Sequence, residues 1–175
     1  LLSFWKEGRV LVDPCCGSGT IPIEAALIGM NIAPGLSRTF ASETWALTDP
    51  AVWKDERRKA FEAVKSGEGL TILGSDKDPR AIRAARQNAV EAGVAEVVKF
   101  TVRDVGDLES KESRGVVITN PPYGERIGDK DAIRDVYNAL RRFMIRHPDW
   151  SLYLLTSDKM VEEPVAGRPA DRRRK

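Results

Sequence analysis

The sequence predicts an α/β domain with a mostly parallel sheet, and three observations favour this fold class. Short apolar runs alternate with stretches of helical periodicity along the 175 residues. Acids and glycines directly follow the apolar runs, which is typical of the ligand-binding edge of a parallel sheet. The composition, with 42% hydrophobic and 31% charged residues, is that of a globular chain. Strands that alternate with helices are connected by short right-handed crossovers, so the strands should run in the same direction.

The predicted elements follow one another as strand, turn and helix. Strands are predicted over residues 9–13, 70–76, 97–102, 115–119 and 151–156. Helices are predicted over residues 21–30, 51–64, 79–93 and 131–146. Asp78 is a favourable N-cap and Pro79 a favourable first helical residue, which fixes the start of the third helix. The fourth helix has the clearest amphipathic pattern.

A helical insertion at about residues 31–69 is expected within a single domain that spans residues 1–175. The breakers Pro34-Gly35 and Asp49-Pro50 interrupt this segment. Its helix is expected to present an apolar face. That face consists of Val52, Ala60, Phe61 and Val64. The chain has no initiator Met and stops inside a basic run, so we expect it to be a piece of a longer protein.

Charge and cysteine content exclude several classes of protein. Lys and Arg total 28 and Asp and Glu total 26, so a net charge of +2 excludes a domain that binds nucleic acid mainly through a strong global basic field. No apolar run approaches the roughly 20 residues of a membrane span. The two cysteines, Cys15 and Cys16, are adjacent and can neither connect distant segments nor supply a zinc site. We therefore expect reduced thiols, no metal and a cytoplasmic location.

The turn Asp13–Thr20 lies between the first strand and the first helix. Gly17 and Gly19 would let the backbone approach a ligand closely, and the start of a helix favours negative groups. The turn is not a P-loop, and it lacks the third glycine of the dinucleotide-binding pattern. From these residues alone, a cofactor turn and an ordinary tight turn are both open.

Two further acids end neighbouring strands. Asp76 follows the second strand, where a carboxylate can accept both hydroxyls of a ribose. Asp104 follows the third strand and could accept the exocyclic amine of an adenine. The alternatives for Asp76 are a solvated loop acid or a helix-capping residue, although Asp78 is the better cap. The alternative for Asp104 is a surface acid beside Arg103.

The segment Asn120-Pro121-Pro122-Tyr123 is the sharpest signal. Two prolines fix the backbone directly after a buried strand. The Asn120 amide and the Pro121 carbonyl then form neighbouring acceptors, with the ring of Tyr123 beside them. That set suits a planar amino group, because two acceptors meet its two N–H bonds and the ring can stack on its base. A rigid turn with a packed Tyr is the alternative.

Taken together, these motifs resemble the class I S-adenosylmethionine-dependent methyltransferases, and Asn-Pro-Pro-Tyr is typical of the amino methyltransferases among them. Three segments are similar to the bacterial ribosomal RNA guanine-N2 methyltransferases of the RlmL type, which carry a THUMP domain. These segments are Asp13 to Ala26, Asn31-Ile32-Ala33-Pro34-Gly35 and Gly74-Ser75-Asp76-Lys77-Asp78-Pro79-Arg80-Ala81. The resemblance implies a Rossmann-like fold from which the last strands of the sheet and the upstream THUMP region are missing.

The resemblance also implies a role for each matching residue. Around S-adenosyl-L-methionine it implies Asp13, Cys15, Gly17, Gly19, Thr20, Asp76, Asp104 and Asn120. Among these, Asp76 would bind the ribose and Asp104 the adenine amine. The residues implied at the target base are Asn120, Pro121 and Tyr123. The implied reaction is methylation of an exocyclic base amine in RNA, namely N2 of guanine in 23S ribosomal RNA. The affinity for this RNA would come largely from the THUMP domain.

Other functions stay open at this stage. A DNA adenine or cytosine amino methyltransferase shares the Asn-Pro-Pro-Tyr logic, and a glutamine methyltransferase that acts on protein is a related option. A non-catalytic nucleotide-binding module or a degenerate methyltransferase would share the turn and the acids. The target nucleotide and the oligomeric state do not follow from these residues.

Overall fold

The computed structural model describes residues 3, 5–122, 129–157, 161, 165, 167 and 169–171. Within this part of the chain, five parallel strands form one sheet in the order β3-β2-β1-β4-β5. The strands are β1 (Val10–Asp13), β2 (Ile72–Asp76), β3 (Val98–Val102), β4 (Gly115–Thr119) and β5 (Ser151–Leu154). The predicted α/β class with a parallel sheet is confirmed.

The centre of the sheet is β1, which pairs with β2 on one side and with β4 on the other. Val12 is in register with Leu73 of β2 and with Val117 of β4. All four residues of β1 are buried, as expected for a strand that is covered on both faces. The strand order changes direction at β1 and β4, and in open α/β sheets ligands bind at such a point, outside the carboxyl ends of the strands.

Helices cover both faces of this sheet. The described helices are α1 (Thr20–Gly29), α2 (Pro50–Glu62), α3 (Pro79–Glu91) and α4 (Asp129–Arg146). Of these, α1 and α3 cover one face and α4 covers the other, whereas α2 belongs to the insertion. Alternate strand residues point to opposite faces. Leu11 and Val116 therefore pack in one core cluster with residues of α1 and α3, whereas Val117 packs in a second cluster with Leu140 and Phe143 of α4.

The element bounds differ from the predicted ones by at most two residues, and the predicted N-cap of α3 is confirmed. The Asp78 carboxylate accepts a hydrogen bond from the backbone N–H of Arg80 at 2.8 Å, and Pro79 is the first residue of the helix. Among the helices that the structure describes, none is both long and apolar enough to cross a membrane. The extent of a single domain over residues 1–175 stays a prediction.

The residues of the expected apolar face of α2 are not buried, and one of them, Val64, lies beyond the end of the helix. No residue of α2, all of which is described, is buried, and Val52 and Phe61 are 56% and 73% exposed. Polar and ring contacts hold the helix instead: Arg57 donates to the carbonyl oxygen of Leu36 at 2.9 Å. The ring of Trp53 in α2 stacks on Phe40. The period of the apolar residues predicts a helix but does not show that another element covers its face.

Candidate cofactor and target-base site

The predicted site residues lie at one edge of the sheet. Asp13, Asp76 and Thr119 are the last residues of β1, β2 and β4, and Asp104 and Asn120 follow the ends of β3 and β4. Because the strands are parallel, their carboxyl ends meet at this edge. The structure thus brings the predicted cofactor residues and Asn120 to one side of the molecule.

The turn between β1 and α1 is fixed against the end of β2. The N–H of Cys16 donates to the carbonyl oxygen of Ser75 at 2.9 Å, and the N–H of Gly17 donates to Asp76 Oδ2 at 3.0 Å. Within the turn, the N–H of Gly19 donates to the carbonyl oxygen of Cys16 at 2.8 Å. Thr20, at the exposed start of α1, is the first helical residue.

Gly17 and Gly19 both adopt left-handed backbone conformations, with φ of 53° and 89°, but their surroundings differ. A Cβ atom on Gly19 would lie 2.8 Å from a ring carbon of Phe100 and 3.0 Å from Cβ of Ala85. At Gly17, none of the described residues apart from its two chain neighbours has an atom within 4 Å of the same position. Gly19 therefore serves packing, whereas Gly17 leaves an open side of the turn where a ligand can approach the backbone.

Asp76 is half-buried and held from two directions. Its Oδ2 accepts from Gly17, and its Oδ1 accepts from the backbone N–H of Asp78 at 2.9 Å. An ionised carboxylate can accept about four hydrogen bonds, so each oxygen retains capacity for a further donor. A fixed carboxylate with two available oxygens can accept the paired hydroxyls of a ribose.

Asp104 is exposed and caps a short 3-10 helix over Val105–Asp107. Its Oδ1 accepts from the backbone N–H of Gly106 at 2.7 Å, which orients the carboxylate at the end of β3. The capping role was not among the alternatives that the sequence suggested. It leaves Oδ2 for an amine donor, so the predicted adenine contact stays a prediction.

Asp13 lies inside the protein and is 1% exposed. Its Oδ1 accepts from the hydroxyl of Thr119 at 2.6 Å and from the backbone N–H of Cys15 at 3.1 Å. Burial raises the pKa of Asp13 to about 7, and the nearby charge of Asp76 adds to this rise, while the hydrogen bonds from Thr119 and Cys15 oppose it. Asp13 thus supports the turn from within the fold.

Thr119 is a site residue that the sequence analysis missed. It is the last residue of β4 and is 0% exposed. The available signal was one hydroxyl residue at the end of an otherwise apolar strand, directly before Asn120. Its partner, Asp13, is 106 positions away in the sequence, so the hydrogen bond itself could not be predicted locally.

The target-base segment is described in part. Asn120 is exposed at the end of β4, and Pro121 is buried. The structure thus presents the Asn120 side chain to solvent at the same sheet edge as Gly17 and Asp76. Tyr123 lies outside the described residues, and its stacking role stays a prediction.

With this geometry established, comparison with known proteins identifies the family. The model of the UPF0020 family, described as RMKL-like, methyltransferase domain, matches residues 1–175. The chain belongs to this family. Its resemblance to RlmL-type methyltransferases is thereby confirmed.

Named relatives of the RMKL-like domain are considerably longer than this chain. "Putative RNA methyltransferase YpsC" from Bacillus subtilis is 42% identical over 174 residues, which are 99% of this chain and 45% of that protein. "Ribosomal RNA large subunit methyltransferase K/L" from a Shewanella species is 42% identical over 163 residues, covering 89% of this chain and 23% of that protein. The chain therefore spans less than half the length of each of these relatives.

Solved structures show the same RMKL-like fold. A Listeria monocytogenes protein named a "predicted N6-adenine-specific DNA methylase" superposes with a TM-score of 0.93 at 46% identity, covering 99% of this chain and 45% of that one. SMU.472, whose crystal structure is a complex with SAH, superposes with a TM-score of 0.91 at 43% identity, covering 98% of this chain and 45% of that one. The Rossmann-like methyltransferase fold is confirmed.

The residues of this RMKL-like domain fit S-adenosyl-L-methionine. The open side of the turn at Gly17 leaves space beside the backbone, and Asp76 retains acceptor capacity for ribose hydroxyls. Asp104 and Asn120 lie exposed at the same edge, within reach of solvent. Of the described residues, no group of three or more His, Cys, Asp or Glu side chains could hold a metal ion.

The two cysteines of the RMKL-like domain are poor nucleophiles. Both are free thiols, with Cys16 buried and Cys15 half-buried. Burial raises the pKa of each thiol to about 12, and the neighbouring charge of Asp13 adds to the rise. A reactive cysteine requires the thiolate, which an apolar and acidic environment disfavours. Cys15 can therefore line the cofactor turn without forming a covalent intermediate.

Proposed function

We propose that this RMKL-like domain transfers a methyl group from S-adenosyl-L-methionine to an exocyclic base amine in RNA, and that the amine is N2 of guanine in 23S ribosomal RNA. One observation carries the proposal: Asn120 is exposed directly after β4, beside the turn that follows β1. The names of YpsC and of the K/L methyltransferases support RNA as the substrate.

The chemistry requires positioning more than acid–base catalysis. When bound, the cofactor supplies a methyl group that its sulfonium already activates. The Asn120 amide oxygen and the Pro121 carbonyl oxygen would accept the two N–H bonds of the target amine. These contacts would hold the two hydrogens out of the plane of the ring, so that the nitrogen lone pair is no longer delocalised and can attack the methyl carbon. The new N–C bond would form as the carbon–sulfur bond breaks to leave S-adenosylhomocysteine, and the methylated amine would then release one proton to solvent. Correct placement of the two reactants can supply much of the rate enhancement.

The target base must leave its stack before its amine reaches Asn120. Enzymes that modify bases commonly rotate the nucleotide into the active site, at an unstacking cost of a few kcal/mol. A net charge of +2 provides little general attraction to polyanions. We therefore propose that a THUMP domain elsewhere in the longer protein supplies much of the affinity for RNA, and that the protein acts in the cytoplasm.

Methylation of a DNA amine is a second candidate, because the Listeria structure carries the name of an N6-adenine-specific DNA methylase. The two candidates differ in substrate. The full-length protein should be incubated with radiolabelled S-adenosyl-L-methionine and either unmodified 23S ribosomal RNA fragments or DNA duplexes of mixed sequence. Label in guanine N2 of the RNA supports the proposal. Label in DNA adenine or cytosine alone would contradict it.

Asn120→Ala tests the catalytic role of the segment. Loss of one positioning hydrogen bond in a site that excludes water typically lowers the rate ~10²–10³-fold. We expect such a fall in kcat with at most a modest rise in the cofactor Kd. Gln87→Ala removes a side-chain amide from the exposed face of α3 and serves as the matched control. Wild-type turnover by Asn120→Ala would make the segment a structural turn.

A further inference from the structure

The hydrogen bond between Thr119 and Asp13 joins the two halves of the candidate site. Thr119 Oγ1 donates to Asp13 Oδ1 at 2.6 Å, and the same oxygen accepts the N–H of Cys15 at 3.1 Å. A single buried carboxylate oxygen thus connects the last residue of β4 to the turn that carries Gly17. Asn120, the proposed base-binding residue, is the next residue after Thr119.

Backbone pairing alone does not make this connection. Among the described residues, the paired positions of β1 and β4 run from Val10–Gly115 to Val12–Val117. Thr119 lies two positions beyond the last of these pairs. On its other side, the carbonyl oxygen of Thr119 accepts the N–H of Leu155 at 3.0 Å, which links the end of β4 to the chain after β5. The hydroxyl of Thr119 therefore ties the end of β4 to the end of β1, beyond the paired positions.

We propose that Thr119 is a positioning residue for methyl transfer, because its hydroxyl fixes the distance between the Asn120 turn and the cofactor turn. This inference rests on the proposed function, since it assigns the target amine to Asn120. A displacement of about 1 Å between reacting groups can lower a rate ~10²-fold. The contacts of Asp76 with Gly17 do not pass through Thr119, so cofactor affinity should depend much less on this hydroxyl.

The test compares Thr119→Val with Thr119→Ser in the full-length protein. Valine matches the shape of threonine but lacks the donor, whereas serine keeps the donor and lacks the methyl group. For Thr119→Val we expect kcat to fall ~10–100-fold, and the Kd of S-adenosyl-L-methionine to change by less than about threefold. For Thr119→Ser we expect a kcat within a few-fold of wild type.

Val116→Ala is the matched control for a loss of stability in the same strand. Val116 is 0% exposed in β4, and its side chain does not take part in the Asp13 hydrogen bond. Assayed at a temperature at which all variants are folded, Val116→Ala should keep its kcat. If Thr119→Val does not fold, Thr119→Cys, which offers only a weak S–H donor, takes its place with the same expected fall in kcat.

A second measurement separates failure of this inference from failure of the proposed function. Binding of S-adenosylhomocysteine should slow hydrogen exchange at the backbone N–H of Asn120 in the wild type and in Thr119→Ser. In Thr119→Val, the exchange of this N–H should slow much less. A wild-type protein that methylates no RNA would refute the proposed function, and the exchange result would then decide the coupling by itself. Equal exchange protection in all three proteins, or an unchanged kcat in Thr119→Val, would overturn the positioning role.

Discussion

The free energy of unfolding of the wild-type protein should fall as the pH rises because Asp13 ionises, and Asp13→Asn should abolish this part of the pH dependence. Asp13 is 1% exposed, and burial raises its pKa from an ordinary value of 3.8 to about 7. Between these values the folded protein retains a proton that the unfolded chain has released. The free energy of unfolding therefore falls as the pH rises through this window.

The size of the effect follows from the two pKa values. Each pKa unit corresponds to about 1.4 kcal/mol, so ionisation of Asp13 costs the folded state about 4 kcal/mol relative to the unfolded chain. The stability that the neutral Asp13 gives to the folded protein is fully present below pH 3.8 and is lost above about pH 7. Asparagine imitates the neutral acid, because its Oδ1 can still accept from Thr119 and Cys15.

Urea denaturation of both proteins between about pH 4 and 8.5 measures this difference. The stability of Asp13→Asn relative to wild type should rise by about 4 kcal/mol across the series and then remain constant. Effects of pH on groups that do not interact with Asp13 cancel in the comparison of the two proteins. Asp135→Asn, on the exposed surface of α4, controls for the loss of one carboxylate. A stability difference that stays the same from acid to neutral pH would refute a raised pKa at Asp13.

Three further predictions concern the cofactor turn. In urea denaturation, Gly19→Ala should lower the free energy of unfolding by ~2–4 kcal/mol, because the new Cβ clashes with Phe100 and alanine is strained at a left-handed position. Gly17→Ala has only the backbone strain and should lower the free energy of unfolding by ~1–2 kcal/mol. Calorimetry should also show weaker cofactor binding by Gly17→Ala. Asp76→Ala should weaken S-adenosyl-L-methionine binding by about 1–3 kcal/mol, and unchanged affinity by calorimetry in a folded variant would remove Asp76 from the site. The Cys15→Ala/Cys16→Ala double variant should keep most of its methyl-transfer rate, and a trapped covalent adduct with RNA through either thiol would contradict this.

The sheet could be predicted because its strands are buried on both faces and read as short apolar runs. The apolar runs of β1 and β4 are each followed by polar residues, so the positions of Asp13 and Asn120 at the carboxyl edge of the sheet were predicted correctly. The start of α3 was equally predictable, since Asp78 and Pro79 act through local backbone geometry.

Contacts between distant segments could not be predicted. From the sequence, Gly17 and Gly19 have the same predicted role in the turn. Only the structure shows that Gly19 packs against Phe100 and that Gly17 faces open space. The resemblance implies that Asp13 lies near the cofactor, but only the structure shows that its buried carboxylate accepts a hydrogen bond from Thr119. Likewise, the exposure of Phe61 depends on which elements cover α2, and helical periodicity contains no information about that.

The closure of the insertion has a consequence for the engineering and divergence of this domain. The N–H of Lys65 donates to the carbonyl oxygen of Met30 at 2.8 Å, and Asn31 Nδ2 donates to the carbonyl oxygen of Ala63 at 3.0 Å. These two hydrogen bonds hold the two ends of the segment together at the end of α1. Loop-closure entropy grows by only about 0.6 kcal/mol for each doubling of loop length. We therefore expect that the segment between Ile32 and Glu62 can be lengthened, shortened or exchanged while β1 and β2 keep the register that holds Asp13 and Asp76 in place. New contacts with substrate could be introduced in this segment.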